Sequence, residues 1–240
     1  QIAYYEMYGV AGMKAFEETL KAAHEAGMSV MVDAKRNDIG ATAEACATSY
    51  LGKTQLPAGE ARAFEGDFVT VNAYLGVDGV KPFVNACEKN GGGIFALVKT
   101  SNPSSGQLQD MKLEDGRTVY EMMGDLVSEW GESTSGRHGY SQVGAVVGAT
   151  YPEQGRELRA RMKHTFFLVP GYGAQGATGK DIAGCFDANG NGAIVNASRS
   201  ILCAWKKREG MAFDAAAREE ALRMKEDLAS SLAAVGKAIQ

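Results

Sequence analysis

Short apolar runs alternate with amphipathic stretches along most of this 240-residue chain, and this alternation limits its fold more than any other feature. Each run is continuously apolar and ends near a Gly, Asn or Ser turn, which is typical of strands covered on both faces of a parallel sheet. The six predicted strands are SVMVDAK (29–35), DFVTVNAYL (67–75), GIFALVKTS (93–101), VGAVVGAT (143–150), TFFLVPGYG (165–173) and GAIVNASRS (192–200). The pattern predicts repeated βα units.

Helical periodicity fills the intervals between these runs. The predicted helices cover residues 13–27, 78–91, 120–132 and 153–163, followed by a tail helix within 213–240. We interpret the charged face of the tail helix as solvated surface. Hydrophobic residues make up 45% of the chain, enough for one large core, so we expect residues 1–240 to form a single domain.

Six βα units are too few for an eight-stranded barrel, which needs two more. QIAYYEM at residues 1–7 is readable as the end of a seventh strand, and the first residue is not Met. Two folds fit this count. One is an open doubly wound sheet, and the other is a TIM (β/α)8 barrel whose first one to two βα units are missing from this chain.

Charge, cysteine and histidine content argue against several classes of function. The net charge of −4 and pI near 5.5 give no basic field for nucleic acid, and we expect no such partner. No apolar run approaches the roughly 20 residues that span a bilayer, so we expect a soluble protein with no membrane partner. Four widely spaced cysteines favour reduced thiols in the cytoplasm. Three histidines without metal-ligand spacing predict no metal site.

The first candidate site is the charged end of the first predicted strand, in VMVDAKRNDIGATAEA. Asp33 and Lys35 are two residues apart, so they share a face if the strand persists, and Asp38 follows past its end. Barrel active sites are built at such strand ends. Flanking carboxylates favour a charged Lys, which could protonate a carbanion. A structural ion pair at the strand end explains the same spacing.

Three later segments carry residue types that suit a phosphorylated heterocycle. VPGYGAQGATGKD (169–181) is a Gly-rich loop whose backbone N–H groups could bind an anion, and it contains Gln175. Arg199 lies at the polar end of the last predicted strand, where its planar fork suits a phosphate. Ser101 ends LVKTS and could contact a polar ring edge, while residues 101–142 could form a lid. Ordinary turns and surface charge remain alternatives for all three segments.

Five ordered motifs resemble the orotidine 5′-phosphate decarboxylase family, in its longer bacterial-type branch. They are DAKRNDIGATAEA, which is similar to the family's D-x-K-x-x-D-I signature, VNAYLGVDGVKPF, LVKTSNPSSG, VPGYGAQGAT and GAIVNASRSI. The resemblance extends from Gln1 to about Trp205. It implies a TIM barrel that dimerises and converts orotidine monophosphate to UMP with no metal or organic cofactor.

The resemblance also implies a role for each candidate residue. Asp33 and Lys35 would belong to one subunit's charged array, with Lys35 protonating carbon 6 of the ring. Asp38 would reach the partner's active site in a homodimer, accompanied by Ile39 and Thr42. The remaining binding residues would be Ser101 at the pyrimidine edge and Gln175 and Arg199 at the phosphate.

The chain departs from the family pattern at two places. Asn37 stands where the family usually has Gly, and Asn also tolerates a left-handed backbone. A second Lys of the charged array, a ribose-contacting Asp and the first strand would lie before Gln1, so we expect an N-terminally truncated copy. Two other functions remain open: a magnesium-dependent keto-gulonate-phosphate decarboxylase, and a non-catalytic nucleotide-binding fragment.

Overall fold

A computed structural model describes residues 1–173 and 175–237. In them the strands are β1 (Met31–Arg36), β2 (Thr54–Leu56), β3 (Gly59–Ala61), β4 (Phe68–Val71), β5 (Gly93–Lys99), β6 (Val143–Val147), β7 (Phe167–Pro170) and β8 (Ala193–Asn196). The main sheet has the order β1-β4-β5-β6-β7-β8, and β2 and β3 form a separate antiparallel pair. The pairs β1–β4, β4–β5 and β7–β8 are parallel, as the apolar runs predict.

Two helices precede β1, and at least one helix follows each strand of the main sheet along the chain. The helices are α1 (Ala3–Glu6), α2 (Gly9–Glu25), α3 (Gly40–Leu51), α4 (Val77–Asn90), α5 (Gly106–Gln109), α6 (Val119–Gly131), α7 (Pro152–Arg161), α8 (Gly179–Ile182), α9 (Ser198–Leu202) and α10 (Phe213–Ala234). All five predicted helices are present over the described residues. No helix in this part of the chain is both long and apolar enough to cross a membrane.

The predicted strands exist, but most of them end earlier than the apolar runs do. β4 stops at Val71 because the side chain of Asn72 accepts the backbone N–H of Tyr74 and starts a 3-10 turn. β8 stops at Asn196, and α9 begins two residues later at Ser198. Short polar side chains that bind nearby backbone end the extended conformation, which the apolar pattern does not register.

The interpretation of residues 1–7 as strand is wrong, because this segment contains the helix α1. The backbone N–H groups of Tyr5 and Glu6 donate to the carbonyl of Ile2 and close a helical turn. The N–H of Ile2 donates to the carbonyl of Asp33 at 3.3 Å. The segment therefore contacts β1 without pairing with it as a strand. The β2–β3 hairpin was not predicted, since its exposed residues carry no apolar signal.

The chain divides into two compact units, and each unit contains part of β5 and part of β6. The first unit is Gln1–Leu97 with Val127–Ala145, and the second is Val98–Leu126 with Val146–Gln240. The buried core of the first unit includes Val32, Val69, Val80, Phe83 and Ile94. That of the second unit includes Val147, Leu158, Phe167, Val169 and Ile182. The single (β/α) barrel domain over residues 1–240 stays a prediction.

Candidate active site

Strand β1 is irregular at its carboxyl end, where the charged motif lies. Val32 pairs with Val69 and Arg36 pairs with Val71, so four steps along β1 face two steps along β4. Within this bulge Lys35 has a φ of 48°, the one positive φ of a non-glycine residue among those described. Such a conformation costs on the order of 1–3 kcal/mol and persists only where surrounding contacts hold it. Bulges of this kind re-aim side chains beside active sites.

Thr70 on β4 holds the bulge in place. Its Oγ1 accepts the backbone N–H groups of Ala34 and Lys35 at 3.0 and 2.9 Å. Its own hydroxyl donates to Oδ1 of Asp33 at 2.9 Å. Thr70 is almost completely buried, so these hydrogen bonds form away from water. Thr70 was not predicted as a site residue, although a hydroxyl inside the apolar run DFVTVNAYL was a signal for it.

Asp33 and Lys35 form a close ion pair at the end of β1, as their spacing predicts. Lys35 Nζ lies 2.5 Å from Asp33 Oδ1, and the amide of Gln1 donates to Asp33 Oδ2 at 2.9 Å. The side chains of Lys35 and Asp33 are 44% and 36% exposed. A charged acid–base pair that is fixed by hydrogen bonds and open to an incoming molecule can move a proton.

Asp38 does not contact this pair in the described structure. Its Oδ1 accepts the backbone N–H of Ile39 at 2.8 Å, directly before α3. Lys35 and Asp38 both line a cavity of about 530 Å³ in the first unit. Ile39, 53% exposed, and Thr42, also exposed, present their side chains to the surface. Their predicted roles across a subunit interface stay predictions.

Arg36, beside Lys35 on the same cavity, is occupied by structural contacts. Its guanidinium donates to Glu6 at 2.7 Å and to the hydroxyl of Tyr50 at 2.8 Å. Burial raises the pKa of Tyr50, more than the neighbouring Arg36 lowers it, and so the phenol stays neutral as an acceptor. Arg36 is therefore held by Glu6 and Tyr50, whereas Lys35 pairs with Asp33 and is exposed.

In the second unit, Ser101 and Gln175 lie close together around Gly171. A Cβ placed on Gly171 would come within 2.7 Å of Gln175 Oε1 and within 3.3 Å of the Cβ of Ser101. Gly171 has a φ of +107°, so both the space and the backbone require glycine. The backbone of Ser101 is held by Thr150, whose hydroxyl donates to its carbonyl at 3.0 Å. Two residues predicted to contact one ligand are therefore neighbours.

The Gly-rich loop uses part of its backbone for its own structure. The N–H of Gly173 donates to the carbonyl of Ala177 at 2.8 Å, and the N–H of Gly176 donates to the carbonyl of Gly173 at 2.9 Å. These two N–H groups are therefore paired within the loop, and anion binding by the remaining loop backbone stays a prediction. The exposed side chain of Gln175 remains as a donor. Ala174 lies outside the described residues.

Arg199 lies in the short helix α9 directly after β8 and is exposed. It lines a cavity of about 580 Å³ together with Gly173 of the Gly-rich loop. Lys206 and Lys207 line the same cavity, so its surface is rich in cations. A cavity with this charge, beside a Gly-rich loop, suits an anion such as phosphate.

Residues 101–142 contain regular structure, including α5 and α6. Within the second unit, Arg117 pairs with Asp115 at 2.6 Å and with Asp125 at 2.7 Å, and Arg161 pairs with Asp125 at 2.9 Å. A turn is present at LEDGRT (113–118), since the N–H of Leu113 donates to the carbonyl of Arg117. Closure of this region as a lid stays a prediction. In the described residues, no group of three or more His, Cys, Asp and Glu side chains is arranged to hold a metal ion.

The parallel sheet and the candidate site residues are together those of an α/β enzyme. The parallel sheet carries a strand-end Lys–Asp pair in one unit and a Gly-rich loop with an adjacent Arg in the other. Both features are typical of barrel enzymes that act on phosphorylated substrates.

Comparison with known proteins identifies the family. The model described as "Orotidine 5'-phosphate decarboxylase / HUMPS family" matches residues 1–233. An orotidine 5′-phosphate decarboxylase of Rhodopirellula baltica is 47% identical over 224 residues, which are 93% of this chain and 73% of that protein. One of Clostridium acetobutylicum is 42% identical over 234 residues, 97% of this chain and 78% of that protein.

Among solved structures, an OMP decarboxylase of Leishmania donovani matches with a TM-score of 0.74 and 30% identity, covering 95% of this chain and 79% of that chain. This likeness confirms the predicted TIM-barrel class of fold. The chain belongs to the orotidine 5′-phosphate decarboxylase / HUMPS family.

Proposed function

We propose that this chain converts orotidine 5′-monophosphate (OMP) to uridine 5′-monophosphate (UMP) in pyrimidine biosynthesis, without a metal or organic cofactor. Membership of the family and identities of 40–47% to curated decarboxylases support this reaction. The observation that carries the assignment to particular residues is the Lys35–Asp33 pair at the end of β1, with its 2.5 Å contact.

The proposed reaction breaks the bond between carbon 6 of the pyrimidine and the carboxylate. Carbon dioxide leaves, and the electron pair of the broken bond stays on carbon 6. The ammonium of Lys35 stabilises this developing negative charge and then donates its proton to carbon 6, giving UMP. Lys35 recovers a proton from water. An amine serves here because it is cationic when the carbanion forms and is also a proton donor.

Asp33 orients the ammonium of Lys35 in this proposal. Its Oδ1 also accepts the hydroxyl of Thr70, so the carboxylate is fixed before substrate arrives. A preorganised charge stabilises a transition state without reorganising during the reaction. Asp33 also repels the substrate carboxylate, an interaction that is relieved when carbon dioxide leaves.

Substrate binding is assigned to residues remote from carbon 6. Ser101 would contact the pyrimidine edge, and Gln175 and Arg199 would bind the phosphate. The contacts of Ser101 and Gln175 around Gly171 and the cation-rich cavity lined by Arg199 support these roles. Binding energy from a phosphate far from the reacting bond can be used to orient the ring.

We further propose a homodimer in which Asp38, Ile39 and Thr42 complete the partner's active site. The exposure of Ile39 and Thr42 and the absence of a contact between Asp38 and the Lys35–Asp33 pair, within the described residues, support this arrangement. Mixing Lys35→Ala with Asp38→Ala protein and allowing subunits to exchange tests it. Hybrid dimers have one site with both residues intact, so activity should recover to about a quarter of wild type for random pairing. No recovery after demonstrated subunit exchange would contradict the shared site.

A cytoplasmic location is part of the proposal. The four cysteines form no disulfide, in keeping with a reducing compartment. Cell fractionation followed by immunodetection checks the location, and accumulation outside the cytoplasm would contradict it.

The test of the proposed function is an assay of OMP with purified protein, in the presence and absence of EDTA, that follows UMP and carbon dioxide together. We expect equal amounts of both products and no effect of EDTA. Magnesium-dependent release of carbon dioxide from a keto-gulonate phosphate, with no UMP from OMP, would instead identify the related sugar-phosphate decarboxylase. Binding of UMP without turnover would identify a non-catalytic nucleotide-binding protein.

A further inference from the structure

Both flanks of the Gly-rich loop bind a single carboxylate oxygen of the C-terminal helix α10. The hydroxyl of Tyr172 donates to Oδ2 of Asp227 at 2.6 Å. The backbone N–H of Gly179 donates to the same Oδ2 at 2.8 Å. Tyr172 precedes Gln175 by three residues and Gly179 follows it by four, so Asp227 links the two sides of the segment that carries Gln175.

The segment between these two anchors is closed on itself. Tyr172 and Ala177 form a β-bridge, and the N–H of Gly173 donates to the carbonyl of Ala177. The N–H of Gly176 closes a tighter turn onto Gly173. Internal bonds thus define the shape of the loop, while the bonds to Asp227 fix its placement on α10.

The contacts with α10 are close and largely shielded from water. Tyr172 is only 3% exposed, and burial, together with the hydrogen bond to Asp227, raises the pKa of its hydroxyl to about 12. The hydroxyl therefore stays protonated as a donor at neutral pH. A Cβ on Gly179 would lie 2.6 Å from Ser231 Oγ and 2.8 Å from the carbonyl of Asp227. The loop backbone at Gly179 lies directly against the helix.

We propose that Asp227 and Tyr172 are positioning residues for the substrate phosphate, because they fix the loop from which Gln175 binds it. The inference rests on the proposed function in one respect, the assignment of Gln175 to the phosphate. A long, exposed side chain binds weakly unless the backbone that carries it is already in place, since ordering the loop would otherwise reduce the binding energy. The tail helix, predicted as solvated surface, thereby gains a role in substrate binding.

A set of four variants tests this proposal. Asp227→Ala removes both hydrogen bonds, and Tyr172→Phe removes one of them. Asp227→Asn keeps an oxygen that can accept both donors, and so it should rescue most of the loss. Glu226→Gln is the matched control, since Glu226 is an exposed carboxylate on the same helix with no described contact to the loop.

Two substrates distinguish positioning from a general structural effect. Each variant is assayed with OMP and with orotidine, which lacks the phosphate, and its affinities for UMP and uridine are measured at equilibrium. For Asp227→Ala we expect KM for OMP and Kd for UMP to rise on the order of 10-fold to 100-fold, with a smaller change in kcat. Orotidine turnover and uridine affinity should stay at the wild-type level.

Equal losses for phosphorylated and unphosphorylated ligands would overturn the proposal, because damage to the fold does not depend on the phosphate. So would a wild-type KM and UMP affinity in Asp227→Ala. Absence of any UMP formation by the wild-type protein would instead reject the proposed function. The ratio of UMP to uridine affinity then still decides whether Asp227 supports a phosphate site.

Discussion

Lys35 and Lys99 each lie at or near the carboxyl end of a strand and each pairs with an aspartate, but their surroundings differ completely. Lys35 Nζ is 2.5 Å from Asp33, and its side chain is 44% exposed. Lys99 Nζ is 2.7 Å from Asp110, but its side chain is fully buried. The ammonium of Lys99 lies 4.5 Å from the ring centre of Tyr151 and 5.6 Å from that of Tyr120.

A Lys–Asp pair at a strand end is therefore not by itself a catalytic site. Lys99 is enclosed by aromatic rings, where no substrate can reach it, and it holds Asp110 at the end of the polar loop that follows Ser101. Lys35 is open to solvent and held in a strained backbone conformation. Accessibility and strain, rather than the pairing, make Lys35 the candidate for chemistry.

The largest expected effect separates the two lysines by activity. Lys35→Ala should lower kcat for OMP by at least about three orders of magnitude, because both charge stabilisation and proton donation are lost. Lys35→Met should be equally inactive, since an apolar chain of similar length restores neither. UMP binding, measured by calorimetry, should stay largely intact in both variants. Near-normal turnover in either variant would remove Lys35 from its proposed role.

Substitution at Lys99 should act on stability instead. Lys99→Ala leaves a cavity between two tyrosines and removes the ion pair with Asp110, and we expect a loss of about 2–5 kcal/mol in the free energy of unfolding. Lys99→Met should recover most of this loss, because a packed apolar chain often replaces a buried charge well. Urea denaturation measures both values. A folded Lys99→Met protein with no turnover of OMP would show that the comparison between the lysines is wrong.

Thr70→Val tests what holds the Lys35–Asp33 pair. The substitution keeps the shape but leaves the backbone N–H groups of Ala34 and Lys35 without their acceptor, at about 1–3 kcal/mol for an unsatisfied buried group. We expect kcat for OMP to fall roughly 10-fold to 100-fold as the bulge relaxes. Thr70→Ser, which keeps the hydroxyl, is the control and should retain most of the activity. Equal kcat values for the Val and Ser variants would contradict the role of Thr70.

A third lysine pair is exposed and should contribute least to the free energy of unfolding. Lys14 and Glu18, one helical turn apart on α2, are separated by 3.9 Å, and the Lys14 side chain is 76% exposed. Lys14→Ala should change the free energy of unfolding by less than about 0.5 kcal/mol, because water and salt screen exposed pairs. Thermal melts at low and high salt check this value. A loss comparable to that in Lys99→Ala would mean that burial does not set the order of the three pairs.

Sequence patterns predicted the sheet and the approach of Lys35 to Asp33, because both follow from local spacing. Continuous apolar runs identify buried strands, and a separation of two residues places charges on one face. The bulge in β1 could not be predicted from local spacing, because it is held by Thr70 on a different strand. The same is true of the bonds from Tyr172 and Gly179 to Asp227, which join segments about fifty residues apart.

The family resemblance supplied what spacing could not. Ser101 and Gln175 are far apart in the chain. The structure shows that they are neighbours, because a Cβ placed on Gly171 would contact both of them. Lys99 illustrates the opposite case. It lies within the same motif as Ser101, but its complete burial against Tyr120 and Tyr151 is a property of packing that no local pattern contains.

We expect Asp33 and Lys35 to act as one catalytic unit, and a double-mutant cycle distinguishes this from independent action. Single-turnover rates of UMP formation would be measured for Asp33→Ala, Lys35→Ala and the double variant, with enzyme in excess over OMP. If the two residues act together, the double variant should be about as slow as the slower single variant, so that the effects are strongly non-additive. Losses that multiply in the double variant would show that Asp33 and Lys35 act independently, which would contradict a single catalytic unit.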